Sequence, residues 1–153
     1  MTLDSIDAKI LEVLQENARV SISELSKRIN LSLSAVSERL KKLEQSGIIE
    51  QYTTVLSPKK MDKGLQAIMM VGVDGSLNEK ELFKIVEESN EILECYFVTG
   101  SCDYIIKIAT KDTDSLAAIM RTIKEVKGVK TTETDVFLDQ IKLLHSVSPI
   151  EKK

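Results

Sequence analysis

The chain has 153 residues, 42% of them hydrophobic, and a formal net charge of -3, a length and composition that favour two small folded domains. It contains no tract of about eighteen or more consecutive apolar residues and no signal-peptide core, so we expect a soluble, cytoplasmic protein with no membrane partner. A single histidine and two cysteines without CxxC spacing argue against a zinc site and a disulfide framework, and we expect no metal or cofactor. We interpret Cys95 and Cys102 as small buried thiols, with a transient disulfide as the alternative.

The first third of the chain has the apolar spacing of three short helices. Acidic residues open the first helix, where a carboxylate stabilises the helix dipole. Ser21 and Glu24 have the spacing of a capping box at the start of the second helix. Ser32 and Ser34 are candidate N-caps of the third helix, and Gly47 is its predicted stop. The apolar stripes that would enclose a small core are Leu3, Ile6, Ile10, Leu14, Leu25, Ile29, Val36, Leu40 and Leu43.

The outward face of the third helix is polar and cationic. Advancing by about 100° per residue from the buried Val36 turns its hydroxyl and charged side chains away from the core. From Lys27 to Lys42 there are five cations and one acid, Glu38, in a chain that is acidic as a whole. Small hydroxyls at the N-terminal end and cations further along are what base contacts and phosphate contacts require, although a merely solvated face is the alternative. The predicted residues that bind double-stranded DNA are Ser32, Ser34, Ser37, Glu38, Arg39, Lys41 and Lys42.

These residues have different expected roles. Hydroxyls bond to any base and a carboxylate accepts from the cytosine amino group, so Ser34, Ser37 and Glu38 are the candidates for base edges. The three cations that follow them would hold phosphates, with the guanidinium of Arg39 reaching out from near the buried boundary. For Glu38 a pair with a neighbouring lysine, Lys41 or Lys42, is the alternative.

The rest of the chain predicts a second domain. We expect an apolar strand over Ile48 to Val55 and a polar linker over Ser57 to Gly64. The predicted boundaries are a DNA-binding domain at 1–52, a linker or hinge strand at 53–64 and a second domain at 65–153. Its apolar patterns give the order βαββαβ, a ferredoxin-like fold with two helices on one sheet face, so the fold class is α+β. The predicted strands are Leu65–Val73, Leu93–Thr99, Tyr104–Ala109 and Val129–Leu138; one helix carries Leu82, Phe83, Val86 and Ile92, the other Leu116, Ile119, Met120 and Ile123.

The uncovered face of this sheet predicts self-association. We expect apolar side chains there, from Met69 or Met70 together with Val71 and Val73, and such a face favours pairing with a second copy. A two-fold dimer would also place two recognition helices on a pseudo-palindromic site. The second domain carries most of the acidity, with eleven basic and fifteen acidic residues over 65–153, which should keep it off DNA phosphates.

Over nearly its whole length the sequence resembles the Lrp/AsnC, or feast/famine, regulators. The segments Leu3 to Tyr52, VTGSCDYIIKI at Val98 to Ile108 and GVKTTETDVFL at Gly128 to Leu138 carry the resemblance. The first is similar to the family's helix-turn-helix, with its S-x-x-x-V-x-x-R-L third helix, and the second to its effector loop. The resemblance implies an N-terminal (winged) helix-turn-helix, a C-terminal ligand-sensing (RAM) domain, dimers that assemble into octamers or larger rings, and amino acids as effectors.

The resemblance also implies effector-binding residues. Gly100, Asp103 and Tyr104 match the family's G-x-x-D-Y loop, where glycine allows close approach and the carboxylate can meet a ligand ammonium. The alternative is a turn at Gly100 capped by Asp103. Ser101 and Cys102 fill the variable positions and either tune the choice of ligand or only fill space. Two threonines on one face of the last strand are a weaker inference. The implied residues are Gly100, Ser101, Asp103, Tyr104, Thr132 and Thr134.

The leading hypothesis is a transcriptional regulator whose effector shifts the oligomeric assembly and thereby DNA binding, which requires tighter binding to one assembly than to another. The alternative is an effector-independent architectural protein that wraps or bridges DNA. An enzyme, or a regulatory subunit of one, is the third hypothesis. We do not expect an enzyme, since there is no nucleophile beside a base, no phosphate-binding glycine loop and no metal-ligand spacing.

Overall fold

The chain consists of two compact units in a computed structural model that describes residues 2–149. The first unit contains residues 2–54 and 142–149, and the second is Val55–Ile141. The division falls within the predicted linker at 53–64, whereas residues 142–149, predicted for the second domain, group with the first unit. The exact domain boundaries stay predictions. Within residues 2–149, none of the helices has the length and apolarity needed to traverse a bilayer.

Three helices form the first unit: α1 at Ser5–Glu16, α2 at Ile22–Ile29 and α3 at Leu33–Gln45. Each begins at a polar side chain that accepts a backbone N–H of the first turn, as expected for an N-cap. Ser21 accepts from the Glu24 amide at 3.1 Å, and Ser32 accepts from the Ala35 amide at 3.2 Å. At the end of α3, Gly47 takes a φ of 71°, the left-handed conformation that glycine adopts without strain.

The apolar stripes of the three helices meet in one core. Ile10, Leu25, Val36 and Leu43 are fully or almost fully buried, and the other predicted stripe residues pack around them. This confirms the predicted spacing. Burial of each such side chain stabilises the fold by about 1.5–3 kcal/mol, so packing and not helix propensity holds these short helices together.

The strand predicted over Ile48 to Val55 is absent from the part of the chain that is described. The amides of Ile48 and Ile49 both donate to the carbonyl of Leu43, at 3.1 and 3.2 Å, so these residues complete the end of α3 and pack on its core. A strand needs backbone hydrogen bonds to a neighbouring strand, and residues 50–56 make no backbone hydrogen bond within the described chain. A short 3-10 turn at Lys59–Met61 then leads to the second unit.

The second unit confirms the predicted order βαββαβ. Its four strands form one antiparallel sheet in the order β2-β3-β1-β4, the arrangement of a ferredoxin-like fold. Ile92, which was predicted for the first helix, begins a strand instead. The elements are β1 at Leu65–Val73, α4 at Glu79–Glu88, β2 at Ile92–Phe97, β3 at Tyr104–Thr110, α5 at Thr113–Glu125 and β4 at Val129–Val136.

The two faces of the sheet differ from the prediction at β1. Met69 and Val71 are fully buried in the core beneath α4 and α5, and Val73 packs against the same core, so none of the three lies on the uncovered face. Alternation along the strand puts Ile68 and Met70 on that face. The prediction was wrong for Val71 and Val73, and of the alternatives Met69 and Met70 only Met70 lies on that face. Apart from Gln66 the strand has no polar side chain, so its sequence alternates too little to reveal the inward face.

Candidate DNA-reading face and effector loop

The first half of α3 presents two small hydroxyls to solvent. Ser34 and Ser37 are both exposed, one turn apart, while Val36 between them is fully buried. Ser32 is the N-cap, and its Oγ lies 3.1 Å from that of Ser34. The outward orientation predicted for these side chains is therefore found, and groups of this size allow a helix to lie close to base edges.

Glu38 and Lys42 form an ion pair along the helix, with 2.7 Å between Lys42 Nζ and Glu38 Oε1. The hydrogen bond from Lys42 is the main cause that lowers the pKa of Glu38. This pair was one of the two alternatives for Glu38. Both side chains are exposed, and exposed pairs are weak, so Lys42 can exchange its carboxylate for a phosphate at small cost.

Two of the five cations between positions 27 and 42 have no carboxylate partner within residues 2–149. Lys27 and Lys41 are both exposed and make no ion pair there. Arg28, in contrast, lies 3.1 Å from Glu16 and 3.5 Å from Glu24. Among the cations of α3, Lys41 therefore has no ion pair within the described residues to break when it meets a phosphate, unlike Arg39 and Lys42.

Arg39 differs from the other predicted DNA contacts. Its Nη1 lies 2.7 Å from Asp4 Oδ2 and 2.6 Å from Asp7 Oδ1, at the first turn of α1. These two hydrogen bonds are the main causes that raise its pKa above the usual arginine value. The side chain turns towards α1 instead of reaching outward as expected. A phosphate contact by Arg39 stays a prediction. The sequence indicated acidic residues at the start of the first helix, but their contact with Arg39 was not predicted.

The loop before β3 is fastened to the end of β1 by Asp103. Its amide donates to the carbonyl of Val71 at 2.9 Å, and its Oδ2 accepts from the amide of Val73 at 2.8 Å. Gly100 in the same loop has a φ of 135°, which favours glycine, and a Cβ there would meet no atom within 4 Å. The turn at Gly100 thus has a geometric basis, but the Asp103 side chain fastens the loop to β1 instead of capping that turn. Its Oδ1 has no hydrogen-bond partner among the described residues.

Tyr104 lies in the core and not on the surface. Its ring packs edge-on against Phe83, with 6.2 Å between centroids, and against Phe97 at 5.2 Å. Burial is the first cause that raises the pKa of its hydroxyl. Phe97 is 76% exposed. This exposed ring was not predicted, because the order of residues does not indicate which end of a strand is left uncovered.

Tyr104 and Thr132 lie in one cross-strand row, on either side of Val71, with which both pair. Thr134 lies in a neighbouring row opposite Met69. The Oγ1 atoms of both threonines are buried without a hydrogen-bond partner, and they face the side of the sheet that carries the helices. The fold thus brings Tyr104, Thr132 and the Asp103 loop to the same end of the sheet.

The variable loop positions and the thiols carry less information. Ser101 is exposed and Cys102 half-buried. Both cysteines are free, and burial raises the pKa of the Cys95 thiol. Within residues 2–149, no group of three or more histidine, cysteine, aspartate or glutamate side chains has the arrangement of a metal site.

Two family models match this chain. Residues 3–50 match the family described as winged helix-turn-helix DNA-binding, and residues 66–147 match the Lrp/AsnC ligand binding domain. The HTH-type transcriptional regulator FL11 of Pyrococcus furiosus is 34% identical over 136 residues, which cover 89% of each chain. The leucine-responsive regulatory protein of Escherichia coli is 35% identical over 143 residues, 92% of this chain and 87% of the relative.

Solved structures agree with the sequence comparisons. A transcriptional regulator from Neisseria meningitidis, in complex with L-Met, is 36% identical and superposes with a TM-score of 0.89 over 95% of this chain and 96% of its own. LrpC of B. subtilis is 30% identical with a TM-score of 0.85, over 93% of this chain and 99% of its own. Both similarities extend over the helical unit and the sheet unit.

Proposed function

The chain belongs to the Lrp/AsnC family of DNA-binding transcriptional regulators and carries the ligand-binding domain of that family, and from this premise we propose a sequence-specific regulator that responds to an amino acid through changes in its oligomeric assembly. The observation that carries the proposal is the outward face of α3, where Ser34 and Ser37 precede Lys41, which has no ion-pair partner within residues 2–149. A DNA-binding protein acts where the DNA is, so we propose a cytoplasmic location. We assign the chain no catalytic role, since the relatives named above are transcriptional regulators.

The proposed DNA contacts divide by chemistry. Ser34 and Ser37 would meet base edges, and Lys41 and Lys42 would hold phosphates. Glu38 would have the secondary role of neutralising Lys42 until DNA displaces it, since their contact is an exposed ion pair of 2.7 Å. The hydroxyl of Ser32 already accepts the Ala35 amide and lies 3.1 Å from Ser34 Oγ, so it would have a smaller share in DNA contact than Ser34 and Ser37.

The proposed effector site is the loop from Gly100 to Tyr104 with Thr132 and Thr134 nearby. Asp103 supports an amino-acid ligand because one carboxylate oxygen fastens the loop to Val73 while the other has no partner among the described residues. An α-ammonium group at that oxygen would form a charge-assisted hydrogen bond. The Neisseria regulator was solved with L-Met, which supports an amino acid as the ligand class here.

The proposed assembly begins with a dimer through the uncovered sheet face and continues to octamers or larger rings. Ile68, Met70 and Ile105 form the apolar centre of that face, because paired residues of adjacent strands share a side. Glu94 and Lys107, joined at 2.7 Å, add a polar pair beside it. An effector shifts such an assembly only if it binds one oligomer more tightly than another.

One observation favours the second candidate, an effector-independent architectural protein. Asp103 already has a structural use at Val73, and a loop that serves only as an assembly contact would need no more. In that case the ring of dimers would wrap or bridge DNA without responding to a ligand.

Multi-angle light scattering of the purified protein, with and without each of the common amino acids, separates the two candidates. A ligand-dependent change of mass in the wild type, abolished in Asp103→Ala with the dimer retained, is the expected result. Asp103→Asn is the matched control, because the amide keeps an acceptor for the Val73 amide but loses the charge that an ammonium requires. An unchanged mass with every amino acid would favour the architectural protein, and a normal response in Asp103→Ala would make this residue purely structural.

A further inference from the structure

Arg39 and the two aspartates at the start of α1 form a closed network. Asp4 Oδ1 accepts the amides of Ile6 and Asp7 at 2.9 and 2.8 Å, and Asp7 Oδ2 accepts the amide of Asp4 at 3.2 Å. The two remaining oxygens bind Arg39 Nη1 at 2.7 and 2.6 Å. All four carboxylate oxygens of the two aspartates are therefore engaged. Two of them cap the start of α1, and the other two bind Arg39 on α3.

Burial makes this contact more than a surface ion pair. The Asp7 side chain is only 3% exposed, against 49% for Asp4 and 30% for Arg39. A buried carboxylate is costly unless it is paired and hydrogen-bonded, so the guanidinium must stay where Asp7 needs it. Exposed pairs such as Glu38–Lys42 carry no such constraint.

The charge of the network argues against Arg39 as a phosphate ligand. Two carboxylates and one guanidinium leave a net negative charge, and a phosphate that approaches Nη1 meets both aspartates at less than 3 Å from that atom. Arg39 also lines a groove of about 390 Å³ with Asp7, Ala35, Glu38 and Lys42. Its two acids and two cations pair with each other, so the groove offers an anion no net positive charge.

We propose that Arg39 is a positioning residue for DNA reading: by joining α3 to the first turn of α1, it fixes the rotation of α3 and thereby the direction of Ser34 and Ser37. Side chains lie several ångströms from the helix axis, about 5–6 Å at their tips, so a rotation of α3 about that axis would move both hydroxyls relative to the bases they meet. This inference rests on the proposed DNA-binding function and deepens it.

The test compares Arg39→Gln, Asp7→Asn and the double variant with Lys41→Gln as the phosphate-contact control. Two duplex probes are used: a sequence enriched by the wild-type protein from a random-sequence library, and poly(dI-dC) for non-specific binding. Affinity is measured for both over a series of salt concentrations, and thermal unfolding of each variant is recorded alongside.

The positioning role predicts that Arg39→Gln and Asp7→Asn each reduce the ratio of specific to non-specific affinity by about tenfold, the order of loss caused by one mismatched base pair. The specificity ratio of the double variant should be no lower than that of either single variant, because the contact between Arg39 and Asp7 is lost in all three. In these variants the slope of log affinity against log salt concentration should stay at the wild-type value. In Lys41→Gln the magnitude of this slope should fall by about 0.9 on both probes.

A different pattern would overturn the inference. If Arg39→Gln lowers the salt slope by about 0.9 while Asp7→Asn keeps or raises the affinity, Arg39 is a phosphate contact. Should Asp7→Asn fail to fold, the double variant decides in its place, because it removes the buried carboxylate together with the guanidinium that pairs with it; an unchanged specificity ratio in that variant would contradict positioning. A wild-type protein that enriches no sequence would instead refute the proposed sequence-specific function itself.

Discussion

Lys41 provides a quantitative test of the DNA-reading face. The side chain is exposed on α3 and has no carboxylate partner among the described residues. Each phosphate that a cation neutralises contributes about 0.9 to the slope of log affinity against log salt. Lys41→Gln should therefore lower the slope by about 0.9, and the advantage of the wild type over the variant should shrink by about 3.5-fold between about 50 and 200 mM salt.

Neighbouring variants sharpen this prediction. Lys42→Gln should weaken binding more than Lys41→Gln at low salt, because it also leaves the carboxylate of Glu38 unpaired beside the phosphates. Glu38→Gln should tighten non-specific binding, since it frees Lys42. The assay is fluorescence anisotropy of a labelled poly(dI-dC) duplex titrated at several salt concentrations, with Lys80→Gln on α4 as a control outside the helical unit. A wild-type slope in Lys41→Gln, or an equal loss in the control, would refute the assignment.

Three further predictions concern stability and assembly. Gly128→Ala should cost about 3 kcal/mol or more, because its Cβ would lie 2.3 Å from the Leu77 amide at a φ of 90°, whereas Gly100→Ala should cost about 1 kcal/mol for its φ alone; urea unfolding compares them, and equal losses would contradict the clash. The Asp7 amide is the first cause that lowers the pKa of Asp4 from 3.8, so the stability it contributes is present above that value and is lost as pH falls through the lower folded value; Asp4→Asn should flatten this acid dependence in thermal unfolding. Met70→Lys should dissociate the proposed dimer in light scattering, and an unchanged mass would exclude the uncovered face as the interface.

The sequence predicted local features of the fold well. The helix starts at Ser21 and Ser32 and the stop at Gly47 follow from short-range chemistry: a side chain that accepts an amide three residues on, and a residue that tolerates positive φ. The apolar stripes of α1 to α3 repeat at the helical period, and the bounds of β1 coincide with a run that has no polar side chain other than Gln66.

The failures share a physical cause. The inward face of β1 depends on where α4 and α5 pack, and the residues after Gly47 depend on the carbonyl of Leu43 that captures Ile48 and Ile49. The contact of Arg39 with Asp7 spans 32 positions in the chain. None of these contacts leaves a periodic signal in a single sequence, so a pattern alone cannot predict them.

Asp103 and Arg39 show how the same kind of finding can have opposite consequences for a candidate site. Each is a charged side chain predicted to meet a ligand, and each already binds the protein itself. Asp103 uses one oxygen on a backbone amide and has a second oxygen without a partner in the described chain, so ligand binding and the structural contact are compatible. Arg39 holds both carboxylates with one nitrogen, and one of them is buried; a ligand at that nitrogen would have to break the network. The geometry therefore supports Asp103 as an effector contact and assigns Arg39 to the scaffold that orients the reading face.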